Sequence, residues 1–176
     1  MNRSILDLDD TLNRLTMPVL ASLGLDVDPM GFQDYPLEAG YDIVKAANIL
    51  ANPHNDPSIE PWTVQTLWDS VPRSLWATVP KSDECDFILS VCEQMVGQDN
   101  ILIATSPTKD PDCLAGKLEW IHTNLPKWLW RQFSITPRKH WLAKPGIMLF
   151  DDCPDNVQLF RAEGGEAVLV SRPWNS

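Results

Sequence analysis

The amino-acid sequence predicts an α/β protein, a parallel sheet with helices on both faces and a small, mostly helical cap inserted after the first strand. Three observations lead there. Short apolar runs alternate with segments of helical spacing, the pattern of strands buried on both sides. Several of those runs end in acids or hydroxyls, at the strand ends where sheets of this kind hold their ligands. A proline-rich stretch breaks the alternation early, with seven of the 15 prolines falling between Gly24 and Lys81.

Taken in order, Arg3 to Leu8 reads as a short buried strand running into acids. Leu12, Leu15, Val19, Leu20 and Leu23 have helical spacing, so a helix is expected over Leu12 to Leu23, with Pro18 bending it or sitting in its first turn. The stretch after Gly24 mixes a helical piece, Leu37 to Leu50, with one carrying Trp62, Trp68 and Trp76. Residues 25–81 are therefore assigned to the cap, and residues 1–24 with 82–176 to a single Rossmann-like core.

Regular alternation then resumes. Asp83 to Val96 is helical and closed by Gly97. Ile101 to Thr105 is a buried strand, and Asp110-Pro111 supplies an N-cap and first-turn pair for a helix through Leu125 that Pro126 stops. Phe133 to Ile135 is a weak strand, Ile147 to Phe150 a clear one that again ends in acids. Asp155 to Glu163 is helical up to Gly164-Gly165, and Ala167 to Val170 is the last strand.

A chain of 176 residues with 44% hydrophobic and 22% charged residues suits one compact domain with a small insertion, and excludes global disorder. The net charge of −10 argues against polymeric nucleic acid and anionic membrane surfaces, both of which need a basic footprint. It also raises the question of how an anionic substrate could approach. The longest apolar runs fall far short of the roughly 20 residues of a membrane span, and the start, Met1 to Asp7, has no apolar signal core. Cys85, Cys92, Cys113 and Cys153 form no CxxC pair, and Cys85 and Cys92 lie two turns apart on one helix face. They are read as reduced, mostly buried thiols of a cytoplasmic protein.

The chemistry concentrates at strand ends. Asp7-Leu8-Asp9-Asp10-Thr11 follows the first strand, Thr105-Ser106 the second clear one, and Asp151-Asp152 a third. Side chains alternate along a strand, so Asp7 and Asp9 can face the same side. Carboxylates gathered this closely repel unless a proton or cation intervenes. An all-oxygen set favours a hard ion, of which Mg²⁺ is the natural choice. A lone DxDxT is more often a helix cap. An EF-hand loop starting at Asp7 fails, because it needs Gly where Leu12 stands and Glu where Pro18 stands. A phospho-receiver site would place a lone acceptor Asp at a mid-chain strand end, and no such Asp is found.

Asp7-x-Asp9-x-Thr11, then Thr105 after an apolar strand, then a lysine, then Asp151-Asp152 after another strand, resembles the haloacid dehalogenase superfamily of phosphohydrolases over nearly the whole chain. The doubled acid, Thr105-Ser106-Pro107 and the mid-chain cap resemble its 5′(3′)-deoxyribonucleotidase branch, and the closing Pro173-Trp174-Asn175 is similar to short bacteriophage-type members. The resemblance implies Asp7 as nucleophile, forming an aspartyl-phosphate. It implies Asp9 as the acid for the leaving hydroxyl and then the base for water. Mg²⁺ would be held by the Asp7 carboxylate, the Asp9 backbone carbonyl and Asp152, with Asp151 in a supporting place. Thr105 and Ser106 would donate to phosphoryl oxygens.

The family also uses a lysine between nucleophile and phosphate, for which Lys109, Lys139 and Lys144 are candidates. Lys144 sits just before a strand, at the far end of the sheet, and Lys109 suits the rim. Lys139, on a longer return segment that can reach the catalytic edge, is chosen. Trp76 lies in Leu75-Trp76-x-x-Val79-Pro80, similar to the segment lining the base pocket of deoxyribonucleotidases, though Trp76 can equally build the core of the cap, the role that suits Trp62 better. His54, His122 and His140 are scattered, without metal or triad spacing. The implied substrate is a small phosphoester, a (deoxy)nucleoside monophosphate first. The alternatives are another small phosphoester, or a non-catalytic binding protein on the same fold. A homodimer is compatible with this reading, and the expected setting is cytoplasmic, that of the host for a phage-encoded chain.

Overall fold

A five-stranded parallel sheet forms the centre of the computed structural model, which describes residues 1–176. Its strands are β1 (Arg3–Leu6), β2 (Ile101–Thr105), β3 (Phe133–Ile135), β4 (Ile147–Asp151) and β5 (Glu166–Leu169), in the spatial order β3-β2-β1-β4-β5. The chain runs outward from β1 through β2 and β3, then crosses back to lay β4 and β5 on the other side. That reversal beside β1 is where open parallel sheets bind ligands.

The helices are α1 (Thr16–Ser22), α2 (Ile43–Ala51), α3 (Val64–Asp69), α4 (Arg73–Thr78), α5 (Cys85–Val96), α6 (Pro111–Asn124) and α7 (Pro154–Ala162). Both faces of the sheet are covered, as the apolar strands require. One face belongs to a cluster of 29 buried residues that includes Leu6, Ile103, Trp120 and, from the insertion, Ala46, Leu67 and Trp76. The other is a smaller cluster of Ile5, Ala104, Ile147, Leu149 and Phe160. All four cysteines are buried and free, and no helix is long and apolar enough to cross a membrane.

Two expected helices are shorter than their apolar spacing suggests. The first begins at Thr16, not Leu12, because Asp10 takes φ 54° and aims its carboxylate along the chain. Asp10 Oδ1 accepts from the Leu15 and Thr16 amides at 2.9 and 3.1 Å, and Oδ2 accepts from the Thr16 hydroxyl at 2.7 Å. Those bonds satisfy donors that a helix start leaves free. Leu12 and Leu15 are buried from a loop, and Pro18 sits in the first turn of α1. Leu37 to Leu50 is broken by Gly40 at φ 59°, after which Asp42 caps α2 by accepting from the Lys45 amide at 3.0 Å.

Residues 25–81 add no strand to the sheet, and their regular pieces are all helical. The last of them, α4, rests on α6 across Gly116. A Cβ there would meet Trp76 Cβ at 2.4 Å and the Arg73 carbonyl oxygen at 2.7 Å. The contact is completed by the Trp120 indole, which donates to the Val79 carbonyl at 2.7 Å.

Candidate active site

Strand register brings the acidic ends together. Leu6 pairs with Phe150 and with Ile103, so one step further Asp7 lies level with Asp151, and two steps further Leu8 lies level with Thr105. The Asp7 amide continues the ladder by donating to the Phe150 carbonyl at 2.9 Å. Asp7, Asp151 and Asp152 are all buried, with carboxylate oxygens within 4.8 Å of one another.

Lys139 closes this cluster from the short 3₁₀ turn Lys139–Leu142 that precedes β4. Its ammonium is 2.5 Å from Asp7 Oδ1 and 2.7 Å from Asp151 Oδ2. Of the three candidate lysines only this one reaches the acids. Lys144 is exposed before β4, and Lys109 is exposed at the rim of the cavity. Arg138 lies over the Trp141 ring at 5.0 Å, His122 stacks on Trp130 at 4.6 Å, and His54 is exposed.

The three acids differ in how they are held. Asp151 is fully engaged: besides Lys139 it accepts from the Cys153 amide at 2.9 Å and from the Asn156 amide group at 3.1 and 3.2 Å. Asp152 Oδ2 accepts from the Trp174 indole at 2.9 Å, while its Oδ1 is buried with no partner. Burial pushes the Asp7 carboxyl up to about 7, the Lys139 charge opposing and Asp151 and Asp9 adding to the rise. Burial also raises Asp152 well above the usual carboxylate range, with Asp10, Asp7 and Asp151 contributing. Burial pulls the Lys139 ammonium down, but Asp7 and Asp151 more than offset it and its pKa is raised.

Asp9 and Thr105 meet at a second lysine that sequence reasoning missed. Lys117, on α6, lies 2.6 Å from Asp9 Oδ2 and donates to Thr105 Oγ1 at 2.9 Å and to the Ser106 carbonyl at 2.6 Å. Its signal was present: Cys113, Gly116, Lys117, Trp120 and Ile121 form the buried stripe of α6, and a lysine in an apolar stripe calls for a partner.

Above these groups opens a cavity of about 680 Å³. Asp9, Ser106, Lys109 and Lys117 line its floor and rim, and Tyr35, Tyr41, Trp68, Trp76 and Trp174 supply aromatic walls. Trp76 is only 3% exposed, stacked on Trp68 at 5.5 Å with Lys117 5.0 Å from its ring. The half-buried Trp68 therefore has more ring to offer a ligand than Trp76. Trp62 does not line the cavity; its backbone is clasped by Asn48, at 2.7 and 3.0 Å.

Residues 56–176 match the family model described as 5′ nucleotidase, deoxy (pyrimidine), cytosolic type C protein. The chain belongs to this family. It is a phosphohydrolase of the phosphatase and nucleotidase class, with the fold of haloacid dehalogenase-like hydrolases. No curated protein sequence matches it. In fold it is similar to a haloacid dehalogenase-like hydrolase from Xanthomonas campestris, at 13% identity and a TM-score of 0.53 over 100% of this chain and 84% of that one. A hydrolase from Streptococcus pneumoniae TIGR4 gives 11% identity and a TM-score of 0.55 over 97% and 92%. A haloacid dehalogenase family hydrolase from Deinococcus radiodurans, solved with bound phosphate and sodium, gives 14% and 0.53 over 95% and 79%.

Proposed function

We propose that this phosphohydrolase is a Mg²⁺-dependent phosphomonoesterase for nucleoside 5′-monophosphates, deoxy forms included, working through an aspartyl-phosphate on Asp7. The observation that carries the proposal is the ion-pair arrangement Asp7–Lys139–Asp151, two positions along the chain from Asp9, which lines an aromatic-walled cavity. Residues 25–81 act as the cap that chooses the substrate.

The residues suit a hard cation. Three carboxylates converge, and Asp152 Oδ1 is a buried acceptor with nothing to accept from. Asp7, Asp152 and the Asp9 backbone carbonyl would hold the ion, and Asp151 would support it by holding Lys139. When bound, Mg²⁺ supplies positive charge beside the phosphoryl group and so favours approach of an anion to an acidic surface.

In the chain's own chemistry, Asp7 attacks phosphorus, the bond from phosphorus to the nucleoside oxygen breaks, and Asp9 delivers a proton to that oxygen. Lys139 uses two of its three donors on Asp7 and Asp151, leaving one for a phosphoryl oxygen. Thr105 accepts from Lys117, so its own hydroxyl proton is free to be donated to phosphate. Asp9 then takes a proton from water, which attacks phosphorus and releases Asp7.

Phosphate release across deoxy- and ribonucleoside monophosphates and sugar phosphates, with and without a chelator, tests the reading. Nucleotides should turn over at least about tenfold faster than sugar phosphates, and the chelator should abolish turnover. Equal rates on all esters would sink the nucleotide assignment. Asp7→Asn should stay folded and lose roughly 10³-fold or more in kcat; retained turnover would remove Asp7 as nucleophile.

A further inference from the structure

Lys117 is 3% exposed and sits in the core stripe of α6, a place that packing alone would give to an apolar residue. An ammonium has three donors and no acceptor. Asp9 Oδ2, Thr105 Oγ1 and the Ser106 carbonyl, at 2.6, 2.9 and 2.6 Å, take all three. Lys117 therefore has no donor left for substrate while these bonds stand, unlike Lys139. The other tether of the Asp9 carboxyl is weaker, the Asn13 amide group at 3.3 Å from Oδ1. Lys117 is held in turn from the side of the insertion, where the Trp76 ring lies 5.0 Å from its ammonium and Gly116 lets α4 approach closely enough to put it there.

Resting on the reading of Asp9 as proton donor, we propose that Lys117 is a positioning residue for the reaction: it fixes the Asp9 carboxyl against the leaving oxygen. The role is indirect, so its signature depends on the leaving group. An alkoxide, such as the 5′-oxygen of a nucleoside, needs a proton as it departs; p-nitrophenolate departs without one.

Lys117→Met, close in shape and unable to donate, is compared with the unaltered enzyme by kcat/KM, which reports the step in which the leaving group departs. On a deoxynucleoside 5′-monophosphate the expected loss is on the order of 10²-fold, with KM changed less than about threefold. On p-nitrophenyl phosphate the expected loss is under about fivefold. In an Asp9→Asn background the same substitution should cost less than about threefold more on the nucleotide, because its route of action is already gone. Equal losses on the two esters, or losses that multiply in the double variant, overturn the proposal. An Asp9→Asn variant that keeps full activity on the nucleotide overturns the reading of Asp9 instead, so the two failures are distinguishable. Circular dichroism checks folding, and Lys117→Gln is carried through the same series should the methionine variant unfold.

Discussion

Two buried lysines, each beside an aspartate of the same strand end, are used differently. Lys139 comes from the return segment before β4, and its neighbours Asp7 and Asp151 are themselves buried. Lys117 comes from helix α6 and meets Asp9, whose side chain is 21% exposed at the cavity floor. Lys139 keeps a donor for the substrate, whereas Lys117 has none to spare. The difference teaches that a lysine's place in an anionic site follows from its count of unused donors as much as from its distance to the acids.

The sharpest way to break this comparison is thermal unfolding of Lys139→Met beside Lys117→Met. The first leaves two buried carboxylates facing each other without a cation, a loss of about 3–5 kcal/mol, or roughly 10 °C in Tm for a chain of this size. The second leaves a carboxylate that water can reach, so the drop should be less than half as large. Equal drops would mean that the two lysines sit in equivalent environments.

A second prediction sharpens the role of the acids. The Asp7 carboxyl is raised from 3.8 to about 7. The folded protein therefore holds this proton more tightly than the unfolded chain. The stability it contributes is present below the unfolded value and is lost as pH rises from about 4 to about 7. A divalent ion bound among the acids would take the proton's place. Addition of Mg²⁺ should raise Tm by roughly 5–10 °C near pH 8 and by much less near pH 5.5. A Tm gain that is the same at both pH values would contradict ion binding at Asp7.

The smallest effect should come from the packing behind Lys117. Gly116→Ala places a methyl within 2.4 Å of Trp76 Cβ and 2.7 Å of the Arg73 carbonyl, so α4 must shift. The expected loss is about 1–3 kcal/mol, read as a Tm lower by a few degrees. The KM for nucleotide should rise as Trp68 and Trp76 move, and an unchanged KM with a lowered Tm would separate α4 from substrate binding.

Much of this was legible in the chain. Ile101–Thr105 and Ile147–Asp151 stand out because strands buried on both faces must be continuously apolar, and the acids that stop them mark the ligand end of the sheet. Lys139 could be chosen over Lys144 by connectivity alone, since a residue three before a parallel strand sits at the wrong end of it. Helix starts were less legible, because Asp10 moves the beginning of α1 by a side-chain cap that apolar spacing does not reveal. Lys117 is marked by its place in the apolar stripe of α6, but its pairing with Asp9, like that of Trp174 with Asp152, was not legible.

The sequence alone therefore determined the layered architecture and the edge of the sheet where the acids gather, because periodicity and strand polarity are local properties of the chain. Only the tertiary structure decided that Lys117 answers Asp9 and that Trp174 answers Asp152. Lys117 reaches Asp9 over 108 positions of the chain and Trp174 reaches Asp152 over 22, through the packing of α6 and the fold-back of the C-terminal segment. Such pairings are set by where whole elements dock, and no local pattern records them.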